Sequence, residues 1–190
     1  SKLNNKLDHL FVLPLFVSSY SAVIEMQKFR VYKRTDRVIP IPTVQQVNFS
    51  KKITYLPAMD YNPQISFILA NRVHELIHDG KKLGFNKDEM EVVLVMHVPV
   101  SDKDNLKWIE MGQKYNKDVS YLFPTAKYHI ISLRDDADAS VRDAATKELR
   151  DIVSNASISG HKALILPLLL SKGGIDKGII QRLQGLDYIW

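Results

Sequence analysis

The sequence predicts an α/β protein in which helices flank parallel sheets, arranged as two similar lobes of which the first is incomplete. From Glu91 onward, short apolar runs alternate with amphipathic runs of helix length, which is the pattern of βαβ units. Residues 13–18 (Leu-Pro-Leu-Phe-Val-Ser) recur as residues 166–171 (Leu-Pro-Leu-Leu-Leu-Ser). Both copies are followed by a serine-containing turn, a helix and a strand, and this shared order indicates an internal duplication.

The second half opens with residues 91–97, an apolar run rich in valine and typical of a strand buried on both faces. Ser101 or Asp102 can cap a helix that extends to about Lys117. The residues expected on its inward face are Leu106, Trp108 and Ile109.

Residues 128–133 form the next predicted strand, followed by a polar loop at residues 134–138. The helix after this loop carries one apolar stripe at helical spacing, made of Val141, Ala144, Ala145, Leu149, Ile152 and Val153. Gly160 ends that helix, and residues 162–170 form a third buried strand. A glycine-rich turn at residues 171–174 then leads to a short helix, and a fourth strand begins at Leu186.

The first half repeats the end of this pattern. An apolar strand reaches a serine-containing turn, residues 21–30 form the helix, and residues 52–56 match the strand at Leu186. Two strands and two helices are therefore expected to be missing from the front of this lobe. A helix over Pro63–Asp79, capped near Asn62, connects the halves. The predicted domains are residues 1–62 for the partial N-terminal lobe, 63–90 for a bridging helix and linker, and 91–190 for the C-terminal lobe.

Composition limits the classes of partner. The 190 residues are 45% hydrophobic and 25% charged, with no cysteine and a net charge of +5. The absence of cysteine excludes disulfides and thiolate metal sites and suits a cytoplasmic location. No apolar run approaches the roughly 20 residues that span a bilayer, so no membrane partner is predicted. The basic residues are scattered without interleaved aromatics, which argues against nucleic acid. A carboxylate-rich small molecule would be attracted by the same positive charge.

A literal H-E-x-x-H motif, His74-Glu75-Leu-Ile-His78, falls on the predicted bridging helix. Its two histidines share a helix face and could bind zinc, with Glu75 as a general base. A third ligand is not evident from the spacing, although Glu89 or Glu91 could supply one. Both histidines also fit ordinary, partly exposed helix positions, so a zinc metallopeptidase is kept as a remote alternative.

Polar residues also cluster where the predicted strands end, and ligands of open parallel sheets bind at that edge. These clusters are 18–21, His97, 134–136 and 171–174. The imidazole of His97 could ligate a divalent metal or accept a proton, or it could simply hydrogen-bond to the next loop. Asp138 fits a helix N-cap, and a tight turn alone could explain Gly173 and Gly174.

Several of these segments together resemble the sirohydrochlorin cobaltochelatase family of cobalamin biosynthesis, a family of class II chelatases. The likeness runs from about Phe11 to Trp190. The residues that carry it are 57–60, 97–102, Asn105, Trp108, 133–137, 141–142, 145–150, 167–177 and 182–188.

The resemblance implies a chelatase-like lyase with a tetrapyrrole cleft between its lobes. Its substrates would be a sirohydrochlorin-type macrocycle and Co2+ or Fe2+, with no organic cofactor. His97 takes the role of metal ligand and proton acceptor. The family commonly places a second histidine in the turn after the third strand, where this chain has Tyr20 in one lobe and Gly173-Gly174 in the other. Tyr20 is therefore the remaining candidate for a second ligand. In addition, Val98 replaces the glycine that usually follows the histidine.

The resemblance also implies a set of tetrapyrrole contacts. The candidates are Ser18, Ser19, Arg134, Asp135, Ser171, Lys172, Gly173 and Gly174. Arg30 is a further cation for the macrocycle's carboxylates. Because the second histidine is replaced, a non-catalytic relative that binds a tetrapyrrole or a metal is the alternative function. The chain could also associate with copies of itself as a homo-oligomer.

Overall fold

The computed structural model describes residues 8–32, 51–170 and 173–190. The chain divides into two compact units, Ser1–Asp60 and Tyr61–Trp190. The helix predicted to bridge the lobes lies wholly within the second unit, where it packs on the sheet of that unit.

In its described residues, the first unit contains a two-stranded parallel sheet and one helix. Its elements are β1 (His9–Val12), α1 (Ala22–Tyr32) and β2 (Lys52–Tyr55). The two strands pair in register from His9 opposite Lys52 to Val12 opposite Tyr55. The hydroxyl of Tyr32 donates to the backbone carbonyl of Ile53 at 3.3 Å and accepts from the backbone N–H of Tyr55 at 2.6 Å. These two bonds fasten the end of α1 to β2.

The second unit is a four-stranded parallel sheet flanked by helices. Its elements are α2 (Pro63–Lys82), a 3-10 turn (Lys87–Glu89), β3 (Met90–His97), α3 (Asp102–Leu122), β4 (Lys127–Leu133), α4 (Ala139–Ile158), β5 (Lys162–Pro167), α5 (Gly174–Arg182) and β6 (Tyr188–Ile189). The strand order is β4-β3-β5-β6. The central strand β3 is buried along nearly its whole length because helices cover both of its faces.

Each face of this sheet has its own packing. On one face, Leu149 and Val153 of α4 and Ile179 of α5 belong to an apolar cluster with side chains of β3, β4 and β5. On the other face, α2 approaches β3 closely at Gly80. A Cβ atom on this glycine would lie 2.5 Å from the Met90 Cε atom, so the lack of a side chain permits the contact. The helices therefore lie on both faces, as the βαβ pattern predicts.

Several predicted element boundaries, and one residue of α3 predicted to face inward, differ from what is observed. Helix α3 continues to Leu122, and β5 ends at Pro167 rather than residue 170. Leu106, predicted to face inward, is 60% exposed. The inward face of α3 is instead set by Asp104, Trp108, Met111 and Tyr115, because Leu106 lies two residues from Asp104 and so on the opposite side.

A smaller correction concerns α4, where Ala144 is exposed although it was predicted to join the inward stripe. Its buried stripe consists of Leu149, Val153 and Ala156, in the second half of the helix. Among the described residues, no helix is both long enough and apolar enough to cross a membrane.

Candidate functional site

The carboxyl ends of β4, β3 and β5 lie side by side at one edge of the second unit's sheet. The chain leaves β3 toward β4 on one side, and β5 pairs with β3 on the other, so the end of β3 is a topological switch point. His97 is the last residue of β3 and lies opposite Leu133. The predicted candidate His97 therefore occupies the position at which open parallel sheets bind ligands.

His97 is paired with a carboxylate from the loop after β4. Its Nδ1 atom lies 3.3 Å from Asp135 Oδ2, and the two side chains are 28% and 27% exposed. The contact is within ion-pair distance but lacks hydrogen-bond geometry, so the buried Nδ1 atom has no hydrogen-bond partner. Metal-binding histidines usually donate one ring N–H to such a carboxylate and keep the lone pair on the other nitrogen, and the position of Asp135 would allow that bond after a small rotation of either side chain.

Asp135 also pairs with Arg182, near the end of α5. The Arg182 Nη2 atom donates to Asp135 Oδ1 at 2.5 Å, and its Nε atom donates to Thr146 Oγ1 at 3.2 Å. One carboxylate thus holds both the imidazole and a guanidinium. The sequence patterns did not single out Arg182, because it lies 47 residues beyond Asp135 and the two meet only through folding. Its presence in a segment that carries the family resemblance was the one available signal.

Arg134, predicted to contact the macrocycle's carboxylates, is engaged within the protein. Its Nη1 atom lies 2.7 Å from Asp102 Oδ1, and its Nη2 atom donates to the backbone carbonyl of Val100. Its side chain is 13% exposed, and its buried Nε atom has no hydrogen-bond partner. Arg134 therefore fastens the loop after β3, and its partner Asp102 is 87% exposed.

In the turn after β5, the structure describes residues 168–170 and resumes at Gly173, so the candidates Ser171 and Lys172 lie outside the described residues. The Gly173 backbone N–H donates to Asp176 Oδ2 at 3.0 Å. A Cβ atom on Gly173 or Gly174 would meet no other atom within 4 Å. Gly173 has a φ of 179°, which any residue adopts, so a tight turn does not explain this glycine. The two glycines leave open space at the start of α5.

In the first unit, the serine turn after β1 is organised by Asp60. This carboxylate accepts the backbone N–H and the hydroxyl of Ser19, each at 2.7 Å, and the hydroxyl of Ser18 at 3.4 Å. The candidates Ser18 and Ser19 thus help to form the turn itself. Tyr20 is 38% exposed in that turn, and Arg30 lies in the last turn of α1. Tyr20 and His97 belong to different units.

The H-E-x-x-H motif lies on α2, as predicted. The His74 ring lies 5.5 Å from the Phe123 ring, and His78 is 63% exposed beside Asp79. Glu91, considered as a third ligand, is engaged elsewhere, because its two oxygens contact His129 and His161 at 2.7 Å each. In the part of the chain that the structure describes, no group of three or more histidine or acidic side chains could hold a metal ion.

Comparisons with known proteins bear on the fold. No family model matches the chain, and no curated protein matches it. The chain is similar to SirB from Bacillus subtilis, solved with Fe3+, with a TM-score of 0.55 and 18% identity over 96% of this chain and 61% of SirB. A multi-domain protein from Deinococcus radiodurans, DR2241, described as structurally similar to chelatases, matches with a TM-score of 0.47 and 16% identity over 93% of this chain and 33% of that one.

The similarity to SirB shows the fold, which is the class II chelatase-like α/β fold predicted from the sequence. The chain spans 61% of the length of SirB.

Proposed function

We propose that this chain is a tetrapyrrole chelatase-like protein that inserts a divalent metal, Co2+ or Fe2+, into a sirohydrochlorin-type macrocycle. The observation that carries the proposal is the His97–Asp135 pair at the switch point of a SirB-like sheet. The SirB structure contains Fe3+, and a histidine beside a carboxylate suits first-row transition-metal ions, the class to which Co2+ and Fe2+ also belong. The metal is a substrate here, and no organic cofactor is needed.

His97 would act in two ways during insertion. Its ring nitrogen opposite Asp135 has a lone pair that can bind the incoming metal ion or accept a pyrrole proton. Asp135 stabilises the imidazolium that forms, and Arg182 holds the carboxylate in place. Both pyrrole protons must leave as the metal enters, so the imidazole must pass the first to water before it accepts the second.

The macrocycle would be bound by its carboxylates and by the space near the glycine pair. The net charge of +5 favours a polyanionic ligand. Arg134 could exchange Asp102 for a substrate carboxylate, because the Asp102 side chain is 87% exposed and a second carboxylate would carry the same charge. Lys172, Arg30, Ser18, Ser19 and Tyr20 remain proposed contacts. We also propose a cytoplasmic location.

The test is a spectral titration of sirohydrochlorin with the protein and Co2+ or Fe2+. We expect metal insertion by the wild type and at least a ~100-fold slower rate for His97→Ala. The matched control is His78→Ala, which removes an exposed imidazole from α2 and should leave the rate unchanged. Equal rates for the two variants would contradict the role of His97.

The alternative is a non-catalytic relative that binds the macrocycle or the metal. It predicts a spectral shift on binding sirohydrochlorin with no metal insertion above the protein-free rate. The remote zinc peptidase alternative predicts stoichiometric zinc that is lost when His74 and His78 are both replaced by alanine. A protein without zinc would remove that alternative.

A further inference from the structure

Arg72 of α2 reaches the end of β5, at the edge of the sheet where His97 lies. Its Nη1 atom donates to the backbone carbonyl of Pro167, the last residue of β5, at 3.2 Å. Nearer its carboxyl end, α2 contacts the start of β3, where Gly80 lies against Met90. The helix therefore runs from the carboxyl ends of the strands toward their amino ends, and Arg72 is a residue that it contributes to the ligand-binding edge.

The guanidinium of Arg72 has free donors and no carboxylate beside it. Arg134, Arg142 and Arg182 each form an ion pair with an aspartate. Among the described residues, Arg72 has one hydrogen-bond partner, the Pro167 carbonyl, and no acidic partner. Its side chain is partly buried, but none of its nitrogen atoms is both enclosed and unpaired. The Nε and Nη2 groups of Arg72 are therefore open to solvent and can be reached by a ligand.

The chemistry of this group favours a carboxylate ligand. A guanidinium is planar, and two of its adjacent N–H groups can bind both oxygens of one carboxylate. Partial burial of the side chain lowers the local dielectric, which strengthens the attraction between the charge and an anion. The Pro167 carbonyl holds the guanidinium in place without neutralising it. Arg72 thus offers a positive charge that no described acidic side chain compensates.

The position of Arg72 relative to His97 fits a large ligand. Pro167 pairs with Val95, two residues before His97. The Cα atoms of Pro167 and His97 are therefore roughly 8 Å apart, from about 3.3 Å per residue along a strand and about 4.8 Å between strands. Val95, on the same side of β3 as His97, packs with α4 and α5, whereas Arg72 approaches from α2 on the other face. A ligand that contacts both residues lies across the end of the sheet.

We propose that Arg72 binds a carboxylate of the macrocycle, which lies across the ends of β3 and β5 with its centre near His97; this inference rests on the proposed function. A macrocycle of the sirohydrochlorin type carries its carboxylates at the rim and its metal-binding nitrogens at the centre, so one molecule can meet both residues. The turn that Arg72 holds at Pro167 continues to Gly173, which borders open space. Arg72 is a substrate-binding residue and takes no part in the transfer of metal or protons.

The binding test titrates sirohydrochlorin, without metal, into the full chain and follows the absorbance of the macrocycle. We expect Arg72→Gln to raise the dissociation constant at least ~10-fold, because it removes hydrogen bonds to a charged group. Arg72→Lys should raise it less, because lysine keeps the charge but not the paired donors. The difference between wild type and Arg72→Gln should narrow as the salt concentration rises.

The matched control is Lys81→Gln, which removes an exposed cation from the last turn of the same helix. Lys81 lies close to Gly80 and so near the amino ends of the strands, and its substitution should leave the dissociation constant unchanged. Equal dissociation constants for wild type and Arg72→Gln, or equal losses in Arg72→Gln and Lys81→Gln, would overturn the proposal.

Steady-state kinetics of metal insertion separate binding from a structural effect on the turn after β5. Loss of a contact that is made equally before and during the reaction raises KM and leaves kcat unchanged. We expect Arg72→Gln to raise the KM for sirohydrochlorin about 10-fold and to change kcat by less than about twofold. A lower kcat with an unchanged KM would show that Arg72 acts by positioning the turn, and would overturn the proposal.

The titration contains no metal, so the contact of Arg72 can be judged apart from insertion. Weaker binding by Arg72→Gln in a protein that inserts no metal would support the contact and contradict the proposed insertion. Equal binding by wild type and Arg72→Gln, with insertion intact, would contradict the contact alone. A wild type that does not bind sirohydrochlorin would overturn both.

Discussion

Glu91→Gln is expected to destabilise the second unit by loosening the amino ends of three strands. Glu91 lies in the central strand β3 with its side chain 3% exposed. Its Oε2 atom contacts His129 Nε2 in β4, and its Oε1 atom contacts His161 Nδ1 just before β5, each at 2.7 Å. Lys127 Nζ is 3.5 Å from Oε1. The Glu91 carboxylate therefore joins the central strand β3 to both of its neighbours, β4 and β5.

The expected loss of stability in Glu91→Gln follows from these contacts. A hydrogen bond to a charged group is worth about 1.5–3 kcal/mol, and glutamine retains one acceptor of the two. We therefore expect Glu91→Gln to lower the free energy of unfolding by about 2–3 kcal/mol. A domain of this size loses about 4 °C in Tm per kcal/mol, which gives a decrease of about 8–12 °C. The control is Glu110→Gln. Glu110 is 57% exposed and pairs with Lys107 at the surface, so its substitution should lower the free energy of unfolding by less than about 1 kcal/mol.

The effect should also depend on pH. Burial alone would raise the pKa of Glu91, but the hydrogen bonds from His129 and His161, together with the charge of Lys127, outweigh burial and hold this pKa below its usual range. A carboxyl with a lowered folded pKa stabilises the fold above its unfolded pKa and loses that contribution as the pH falls through the folded value. Urea unfolding should therefore show the largest difference between wild type and Glu91→Gln above about pH 5, and this difference should shrink as the pH falls below the usual range of a glutamate pKa. A difference that is constant with pH, or no larger than that of the control, would refute this reasoning.

Three further predictions concern single contacts. Asp135→Asn should slow metal insertion by about 10–100-fold, because it weakens the group beside His97, and should lower Tm less than Glu91→Gln does, because Asp135 is 27% exposed and Glu91 3%; an unchanged insertion rate would contradict it. Gly80→Ala should lower stability by about 1 kcal/mol in thermal unfolding, since the new Cβ would lie 2.5 Å from Met90 Cε and the flexible side chain must move; a higher Tm would show that the space is less tight. Burial raises the pKa of Tyr128 to about 12, so absorbance titrations of wild type and Tyr128→Phe should coincide at lower pH and separate only near that value.

The sequence predicted the fold of the second unit well because buried parallel strands and amphipathic helices have distinct periods. It placed β3 to within one residue and identified Asn62 as the cap of α2, whose side chain accepts from the Gln64 N–H. It predicted His97 at a strand end. It could not predict the pair of Asp135 and Arg182, because that contact joins distant parts of the chain and leaves no local pattern.

The repeat shows why strand prediction and burial prediction are separate problems. Phe11 and Leu13 in the first copy correspond to Leu164 and Leu166 in the second, and the local sequences match in character. The later pair is 0% and 1% exposed, whereas the earlier pair is 61% and 64% exposed.

The difference arises from the neighbours of each strand rather than from the strand itself. In the second unit, β5 lies between β3 and β6 and is covered by α2. Among the described residues of the first unit, β1 pairs with β2 alone. An apolar run of this kind indicates a strand that can be buried on both faces, but whether it is buried depends on strands and helices that are distant in the sequence. The repeat therefore predicts the same strand, turn and helix in both units, while the surface around each copy is determined by what packs beside it.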